Sequence, residues 1–400
     1  MPELSPSALA IRASVFAELA PRIEAHTRSG GDLVALHIGD THLAPPPGAR
    51  FARVEPAGTD PDLYRYGAIP GVDALKAAFS RTLLAAARGP AEIDPARHVL
   101  VGAGATHAIY CALRAVLSPG DEVLVAAPYW PLSVGVVRTA GALPVEVPLT
   151  TRLYVDPHAS PAAILEAAVT PRTRAIYLIS PNNPDGYVYG ASQLQELAAL
   201  AVARDLWVLS DEVYADYVYE GAHASIARLP GMAERTLSAY SLSKSHALAG
   251  PRVGFLVAPE KVVSVARRVS THTIFNVPVA SQRVALAALG DAGEWMADAR
   301  RDYAGARQAT LEALAGTGVR AFAPMGGSYV FVDFGSVLRG RPLAELLGIA
   351  IDRGVLLAPG DGCGEAFASW ARLCFTSVPR VRLVEGLGRL RSALEALGQA

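Results

Sequence analysis

The sequence predicts an α/β protein: a mostly parallel seven-stranded sheet sandwiched by helices, with a smaller α+β domain. Two observations lead to this prediction. From His98 onward, short apolar runs alternate with stretches of helical spacing, a pattern typical of parallel sheets covered on both faces. After residues 276–278, a long helical region precedes two isolated apolar runs, 329–334 and 371–375, which indicates a separate, smaller α+β unit.

Seven apolar runs are the candidate strands of the larger sheet. They are residues 99–101, 122–126, 142–147, 175–179, 206–209, 236–240 and 253–258. Pro144 in the third run cannot donate a ladder hydrogen bond, so we expect that strand at an edge. Helical spacing between the strands predicts helices over residues 106–117, 131–140 and 192–204.

The first hundred residues are less regular. Helical spacing predicts helices over residues 7–26 and 72–88, and residues 33–40 are a candidate strand that ends at a glycine. We expect three units: an N-terminal segment, 1–45, that packs with the small domain, a large domain, 46–285, and a small C-terminal domain, 286–400.

Composition narrows the functional classes. Apolar residues make up 51% of the 400 positions and charged residues 18%, as in a well-packed enzyme. A net charge of -1 gives no reason to expect a nucleic acid or membrane partner. Three cysteines without pair spacing argue against a disulfide framework, and the nine histidines show no metal-binding spacing. Residues 1–26 lack a signal-peptide core, so we expect a cytoplasmic protein.

The most informative stretch is 241–254, which holds Lys244 behind two serines and ahead of an arginine. It lies between two candidate strands, which predicts a turn near the end of a buried sheet. Most lysines are solvated surface groups, so this setting is better explained by a bound carbonyl and anion. The amine would form a Schiff base, and Ser241, Ser243 and Arg252 would hold a phosphate.

Two motifs that follow earlier candidate strands can each be interpreted as part of a ligand site or as an ordinary structural feature. Gly104, Ala105 and Thr106 lead from a strand into a helix, where backbone amides can bind a phosphate; an ordinary tight turn is the alternative. Trp130 follows the next strand and could stack on a flat ring, although a core or interface aromatic is the more common role.

Two further strand ends carry polar groups. Asn183 lies between prolines and could present its amide to a ligand from a rigid turn, with a possible cis bond to Pro184. Asp211 follows a buried strand and needs a partner, such as a protonated pyridine nitrogen. The alternative is that it caps a helix starting at Glu212. Tyr214 could donate to a ring oxygen.

Arg372 lies in an apolar run of the small domain. Buried arginine requires a partner, and a substrate carboxylate is a natural bidentate one; an internal ion pair is the alternative. The motifs of the large domain come just after candidate strands, and ligands on such sheets bind at the carboxyl ends of strands. Their common location argues against coincidence.

Together these motifs resemble the pyridoxal-phosphate enzymes of fold type I, class I/II, the aspartate aminotransferase type. The resemblance extends from about Leu33 to Arg372 and is carried by Ser-x-Ser-Lys…Gly-x-Arg-x-Gly, with Asn-Pro-x-Gly and Asp-x-x-Tyr upstream. It implies pyridoxal 5'-phosphate as cofactor and transfer of an amino group from an α-amino acid to a 2-oxo acid, with ping-pong kinetics.

The resemblance also implies residue roles. Lys244 forms the Schiff base, Asp211 pairs with the pyridine nitrogen and Tyr214 contacts the ring hydroxyl. The other residues that match cofactor contacts are Gly104, Ala105, Thr106, Trp130, Asn183, Ser241, Ser243 and Arg252.

Arg372 matches the arginine that binds the substrate carboxylate, and Gly39 and Asn183 match contacts beside it. Tyr66 matches the tyrosine that reaches the phosphate of a neighbouring subunit, which implies a homodimer with shared active sites. No metal ligand is implied.

The sequence departs from the family pattern at three places. Asp185 replaces the usual threonine and puts a carboxylate near the cofactor, and Pro251 precedes Arg252 where a larger apolar residue is usual. Thr271 stands where dicarboxylate-specific members have an arginine, which argues against aspartate or glutamate as preferred donor.

Three other functions compete with transamination. The departures leave open elimination, cyclisation or oxidation of an amino acid on the same cofactor. The Gly102/Gly104 turn alone would fit a dinucleotide-dependent oxidoreductase, which leaves Lys244 unexplained. A non-catalytic binding module is the third possibility, and the intact lysine argues against it.

Overall fold

The computed structural model describes residues 3–11, 19–54, 61–290 and 292–399. Its strands are β1 (Val34–Ala35), β2 (Val99–Ala103), β3 (Glu122–Ala127), β4 (Leu143–Pro148), β5 (Thr173–Ile179), β6 (Trp207–Asp211), β7 (Thr236–Ser241), β8 (Val253–Val257), β9 (Arg320–Ala321), β10 (Tyr329–Asp333), β11 (Val355–Leu356), β12 (Ala358–Pro359) and β13 (Trp370–Cys374).

The α-helices alternate with these strands through most of the chain. They are α1 (Pro6–Leu9), α2 (Ala20–Arg28), α3 (Phe51–Val54), α4 (Asp73–Ala85), α5 (Pro95–His98), α6 (Gly104–Val116), α7 (Ser133–Thr139), α8 (Thr150–Val155), α9 (Pro161–Glu166), α10 (Ala191–Ala203), α11 (Leu242–Ser245), α12 (Glu260–Thr273), α13 (Val279–Gly290), α14 (Gly293–Leu314), α15 (Gly335–Leu338), α16 (Leu343–Asp352) and α17 (Arg380–Gln399). Within the described ranges, each helix is either too short or too polar to span a bilayer.

The large sheet has seven strands in the order β2-β8-β7-β6-β5-β3-β4. Neighbours from β7 to β4 pair in parallel, and only β8 runs against both of its neighbours. The predicted mostly parallel seven-stranded sheet is therefore confirmed. The strand that contains Pro144 lies at the edge, as expected, since an edge strand needs no second hydrogen-bond partner.

Both faces of this sheet are buried, and β5 shows how. Ile176 and Leu178 point into one apolar core, while Tyr177 and Ile179 point into the core on the opposite face. This alternation follows from the two-residue repeat of a strand. Helices cover both faces, so the strands read as nearly continuous apolar runs.

A smaller antiparallel sheet has the order β12-β13-β10-β9, and β1 pairs in parallel with β11. A third core joins Leu19, Val34 and Leu36 of the N-terminal segment with apolar residues of 296–397. The N-terminal segment thus packs on the C-terminal part of the chain. The exact limits of the three predicted units stay a prediction.

The structure corrects two elements near the N-terminus. The expected strand over 33–40 is only Val34–Ala35, because beyond it the chain crosses between sheets: Leu36 N donates to Leu356 O at 3.0 Å, and Cys374 N donates to Leu36 O at 2.7 Å. The predicted helix over 7–26 corresponds to α1 and α2, and its middle part, 12–18, lies outside the described residues.

The segment around Lys244 is also more regular than expected. The predicted turn between the two strands begins with one short helical turn, α11, over residues 242–245. The Ser241 side chain caps it by accepting from Ser243 N at 3.0 Å.

We expect Leu209→Ala to lower the free energy of unfolding by ~2–5 kcal/mol, because truncating a fully buried leucine leaves a cavity. Leu209 is 0% exposed in the core beneath β6, the strand that ends at Asp211. Urea unfolding followed by circular dichroism measures the change. Val202→Ala, at a half-exposed position of α10, is the matched control and should change stability by less than ~0.5 kcal/mol. Equal effects of the two substitutions would contradict the assigned core.

Candidate active site

The candidate site lies at the edge of the large sheet where the parallel strands end. Helix α6 begins where β2 ends, β6 ends at Asp211, and β7 ends at Ser241. Since β8 runs in the opposite direction, Arg252, just before its first residue, comes to the same edge. These ends surround a cavity of about 230 Å³. Its lining residues are Gly39, Ala105, Thr106, Ile109, Trp130, Ile179, Asn183, Asp211, Val213, Tyr214, Ser241, Ser243, Lys244, Arg252, Tyr329 and Arg372.

Lys244 extends into this cavity from α11, and its Nζ donates a hydrogen bond to the carbonyl oxygen of Gly39. Burial lowers the pKa of its amine, and the charges of Arg372 and Arg252 act in the same direction, against the carboxylate of Asp40. The neutral form of the amine is therefore more populated than it is in an exposed lysine. A nucleophile or a base requires that form.

One end of the cavity is a cluster of anion-binding groups that we call the phosphate cup: Gly104, Ala105, Thr106, Ser241, Ser243 and Arg252. The hydroxyls of Ser241 and Ser243 lie 2.8 Å apart. The amino end of α6 adds backbone N–H groups and a favourable dipole. Arg252 Nη1 donates to Ala249 O at 2.9 Å, which fixes the guanidinium.

Gly104 allows close packing within the phosphate cup. Its φ of +78° lies in the left-handed region that favours glycine, and a Cβ there would be only 2.5 Å from Nη2 of Arg252. Glycine thus lets the arginine lie against the start of α6. Gly104 does not itself line the cavity.

Asp211, the last residue of β6, lines the cavity. Its carboxylate accepts from Val213 N at 3.2 Å and from the Tyr177 hydroxyl at 3.3 Å. Burial raises the pKa of the carboxyl to about 7, because it forms no ion pair with a cation in the described chain. A cationic ligand group would satisfy it and reverse that shift. The alternative helix-capping role is wrong, since residues 213–216 form a turn.

Arg372 reaches the same cavity from β13 of the small sheet. Its Nη1 donates to Asn183 Oδ1 at 3.0 Å and its Nη2 to the carbonyl of His37 at 3.1 Å. Its Nε is buried without a hydrogen-bond partner among the described residues. No carboxylate of the described chain forms a salt bridge with it, so the alternative of an internal ion pair is wrong. A carboxylate ligand would satisfy the remaining donors.

The structure brings nearly all of the predicted site residues to one cavity, and Tyr66 is the clear exception. Its side chain is 85% exposed and meets the edge of Phe275, with ring centroids 5.0 Å apart, outside this chain's cavity.

Four lining residues were not predicted: Ile109, Ile179, Val213 and Tyr329. Ile109, Ile179 and Val213 form apolar parts of the cavity wall, and nothing in the sequence marks them as site residues. Tyr329 had a weak signal, since a tyrosine at the start of a buried strand needs a partner for its hydroxyl.

Asp185 does not lie where the sequence suggested. It is absent from the cavity lining and is 1% exposed, and its carboxylate accepts from Asn182 Nδ2 at 2.8 Å, from Tyr187 N at 3.1 Å and from the Thr150 hydroxyl. These contacts hold the loop that presents Asn183. The expectation of a carboxylate near the cofactor is therefore wrong, because the side chain points into the loop.

The bond before Pro184, for which the sequence allowed a cis form, is trans. In the described chain, the cis peptide bonds are Ala127–Pro128 and Ser180–Pro181. Pro181 opens the loop that carries Asn183, so the cis bond lies earlier in the loop than expected.

Comparison with known proteins agrees with this geometry. The family model described as "Aminotransferase class I and II" matches residues 31–390. The chain belongs to the class I and II aminotransferases. Members depend on pyridoxal phosphate and act on amino and oxo acids, which makes this chain an aminotransferase and does not favour elimination or cyclisation.

Several aminotransferases illustrate the similarity. The chain is 34% identical over 392 residues to an arginine–pyruvate transaminase of Pseudomonas aeruginosa, covering 95% of this chain and 94% of that protein. It is 34% identical to an aromatic-amino-acid aminotransferase of Thermococcus litoralis, over 76% of this chain and 78% of that protein. A mutant aspartate aminotransferase of Thermus thermophilus superimposes with a TM-score of 0.89 at 29% identity, covering 98% of this chain and 100% of that one. The predicted family and fold are thus confirmed.

The cavity fits the cofactor of this family on its own chemistry. The phosphate cup suits a phosphate, the buried carboxyl of Asp211 suits a protonated ring nitrogen, and the amine of Lys244 lines the same cavity and suits an aldehyde. Arg372 keeps a buried N–H without a partner in the described chain, which suits a carboxylate. The residues present therefore match pyridoxal phosphate and an amino acid together.

We expect the free energy of unfolding of the Asp185→Asn variant to increase, relative to that of the unsubstituted enzyme, as the pH rises. Burial raises the pKa of Asp185 to about 6 from 3.8. The folded state therefore favours the protonated carboxyl, and its contribution to stability is lost as the pH rises through about 6. Between pH 4 and pH 8 the difference in unfolding free energy should shift by ~2–3 kcal/mol towards the variant.

Urea unfolding at several pH values measures this shift. Asp156→Asn, at an exposed position, is the matched control for the loss of a carboxylate. The same pH dependence in both variants, or none for Asp185→Asn, would contradict the buried carboxyl.

Proposed function

We propose that Lys244 holds the cofactor aldehyde of this aminotransferase and that the same amine moves the substrate's α-proton. One observation supports this most strongly: the partly buried Lys244 amine lines the same cavity as the phosphate cup and Arg372, close enough for the charges of Arg252 and Arg372 to act on it. Its lowered pKa, caused first by burial, favours the neutral form that a base needs.

When bound, pyridoxal phosphate supplies an aldehyde for amines and a ring that withdraws electrons from the α-carbon. Ser241, Ser243 and Arg252 would bind its phosphate, with the backbone of Ala105 and Thr106. Asp211 would keep a proton on the ring nitrogen by pairing with it. That pairing gives the buried carboxylate the cationic partner that it lacks in the described chain.

Tyr214, Asn183 and Trp130 would orient the ring. The Asn183 amide nitrogen lies 3.5 Å from the Tyr214 hydroxyl, and both side chains line the cavity. This places two donors together for one ring oxygen. Trp130 is partly buried just after the end of β3, where its flat side chain can cover a ring face and exclude water.

Arg372 would bind the α-carboxylate of the amino acid, with Asn183 and the backbone of Gly39 beside it. The guanidinium is already oriented by Asn183 and by the carbonyl of His37. A fixed guanidinium loses less freedom on binding, which favours affinity and alignment of the α-proton with the Lys244 amine.

The preferred donor in this proposal has a single carboxylate. Lys244, Arg252 and Arg372 are the cationic side chains of the cavity lining, and each has a role already. Thr271, where an arginine serves dicarboxylate donors, lies in α12 with its hydroxyl bonded to Arg267 O at 2.7 Å. Pyruvate is the first acceptor to test, because the Pseudomonas relative is named an arginine–pyruvate transaminase.

A homodimer with shared sites is part of this proposal. Tyr66 and Tyr64 are 85% and 78% exposed, and Phe275 is 42% exposed beside Tyr66. Large aromatics exposed together mark an interaction surface. The partner copy would add its Tyr66 to the phosphate cup. The proposed cytoplasmic location fits the three buried free cysteines of the described chain.

We expect borohydride to fix the cofactor on Lys244 and on neither of the other two lysines of the chain, Lys76 and Lys261. Peptide mapping locates the label. Lys244→Ala should lose at least about a thousandfold of the transamination rate, since both the covalent attachment and the proton transfer depend on the amine. Lys261→Ala, at an exposed position, is the control and should keep full activity.

A screen of amino acids with pyruvate completes this test. Donors with one carboxylate should convert the bound cofactor to its amine form faster than aspartate or glutamate. Ammonia release without that amine form would rule out transamination, and label on Lys76 or Lys261 would rule out the role of Lys244.

Mixing two inactive variants tests the shared sites. Lys244→Ala and Tyr66→Ala chains, unfolded together and refolded, should regain activity with about a quarter of the sites intact, because half of the dimers are mixed and each holds one complete site. Steady-state assays before and after mixing measure the recovery. The absence of any recovery, with dimers present by light scattering, would place Tyr66 in its own subunit's site or in none.

A further inference from the structure

Tyr329 is the cavity residue whose contacts the proposed roles leave unexplained. It begins β10, which pairs antiparallel with β13, and the register sets Tyr329 opposite Cys374 and Phe331 opposite Arg372. Tyr329 and Arg372 are therefore diagonal neighbours on one face of the small sheet, within reach of an aromatic and a long side chain. Tyr329 is 2% exposed.

The ring of Tyr329 lies against the guanidinium of Arg372. The distance from Cζ to the ring centroid is 4.4 Å, and both side chains are buried. A buried cation on an aromatic face is a strong contact of its kind. The ring covers one face of the guanidinium, and Asn183 and His37 accept from Nη1 and Nη2, so the N–H groups that these contacts do not use remain for a ligand in the cavity.

The hydroxyl of Tyr329 makes a second, independent contact. It lies 2.7 Å from the hydroxyl of Tyr214. If Tyr214 uses its own proton for a ligand in the cavity, Tyr329 must be the donor of this bond. A donated hydrogen bond makes the receiving hydroxyl a better donor in turn.

The same hydroxyl also packs on the backbone that faces Lys244. A Cβ at position 39 would lie 2.0 Å from it, so Gly39 is required there. Burial raises the pKa of Tyr329 to about 12, so the hydroxyl keeps its proton at neutral pH. The charged or titratable groups around it are Arg372 and Cys374 of β13, Tyr214, and Asp40 in the segment after β1.

We propose that Tyr329 is a positioning residue for both ends of the site: its ring orients Arg372 for the substrate carboxylate, and its hydroxyl strengthens Tyr214 as a donor to the cofactor ring oxygen. This inference depends on the proposed roles of Arg372 and Tyr214. It assigns the two effects to different parts of one side chain, so two substitutions separate them.

Tyr329→Phe removes the hydroxyl and keeps the ring, whereas Tyr329→Leu removes both. Tyr189→Phe is the matched control: Tyr189 is also buried, in the core on the far side of the large sheet, and its hydroxyl has no hydrogen-bond partner in the described chain. The holoenzyme of each variant is compared with the unsubstituted holoenzyme in two control measurements. These are the amount of cofactor label on Lys244 and the temperature of thermal unfolding.

The first readout is the pH midpoint of the bound cofactor's absorbance. A donor to the ring oxygen favours its anionic form, so weakening Tyr214 should raise the midpoint in both Tyr329 variants. Tyr214→Phe should raise it further, because it removes the donor itself. Tyr189→Phe should leave the midpoint unchanged. An unchanged midpoint in Tyr329→Phe would overturn the role of the hydroxyl.

The second readout is the inhibition constant of a simple carboxylate that lacks an amino group. It should rise about tenfold in Tyr329→Leu, because the guanidinium loses its supporting ring, and stay within about twofold in Tyr329→Phe. KM for the donor should follow the same order, with a smaller change in kcat. Equal inhibition constants in the Leu and Phe variants would overturn the role of the ring.

These outcomes are distinct from a failure of the proposed function. If the unsubstituted enzyme carried its label away from Lys244, or bound carboxylates equally well after Arg372→Lys, the roles of Lys244 or Arg372 would be wrong. If those controls behave as expected and the Tyr329 variants match Tyr189→Phe in both readouts, only the inference on Tyr329 is wrong.

Discussion

Positive charge beside the carboxyl edge of the large sheet is the constraint on which the site depends. Lys244, Arg252 and Arg372 line one cavity, and in the described chain none of them forms a salt bridge with a carboxylate. Arg372 is buried and Lys244 is partly buried, and such charges are unfavourable unless a ligand neutralises them. A ligand with a phosphate at one end and a carboxylate at the other would supply that compensation. Burial, and after it the charges of Arg372 and Arg252, lower the pKa of Lys244.

The scaffold holds these groups in place with local backbone strain. Arg252 has a φ of +57° and Ala247 a φ of +54°, conformations that residues with a Cβ rarely adopt. Both lie in the loop between α11 and β8, residues 246–252, where this conformation brings Arg252 beside Gly104. Rigid strands on either side hold this geometry, as expected for a preorganised site. The second sheet contributes Arg372 and Tyr329, so the relative packing of the two sheets sets the distance between the two anion-binding ends.

Much of the large sheet and its site could be predicted because the information is local. Alternation of apolar runs and helices indicated all seven strands, and Pro144 indicated the edge strand. Polar residues just after strands indicated Asn183, Asp211 and Lys244, since parallel strand ends share one edge. The predictions for the segment 33–40 and for Asp185 failed, because hydrogen bonds to distant strands and to Thr150 decided those positions.

The sequence by itself determined which chemical groups the site contains. A lysine with serines and an arginine nearby, together with a carboxylate at a strand end, indicates the cofactor. Only the tertiary structure decided which side chains complete the site. Arg372 and Asn183 are 189 positions apart and meet because two sheets pack together. Tyr329 joins them through a diagonal pairing across β10 and β13. Contacts between separate sheets depend on packing geometry, which no local pattern of residues encodes.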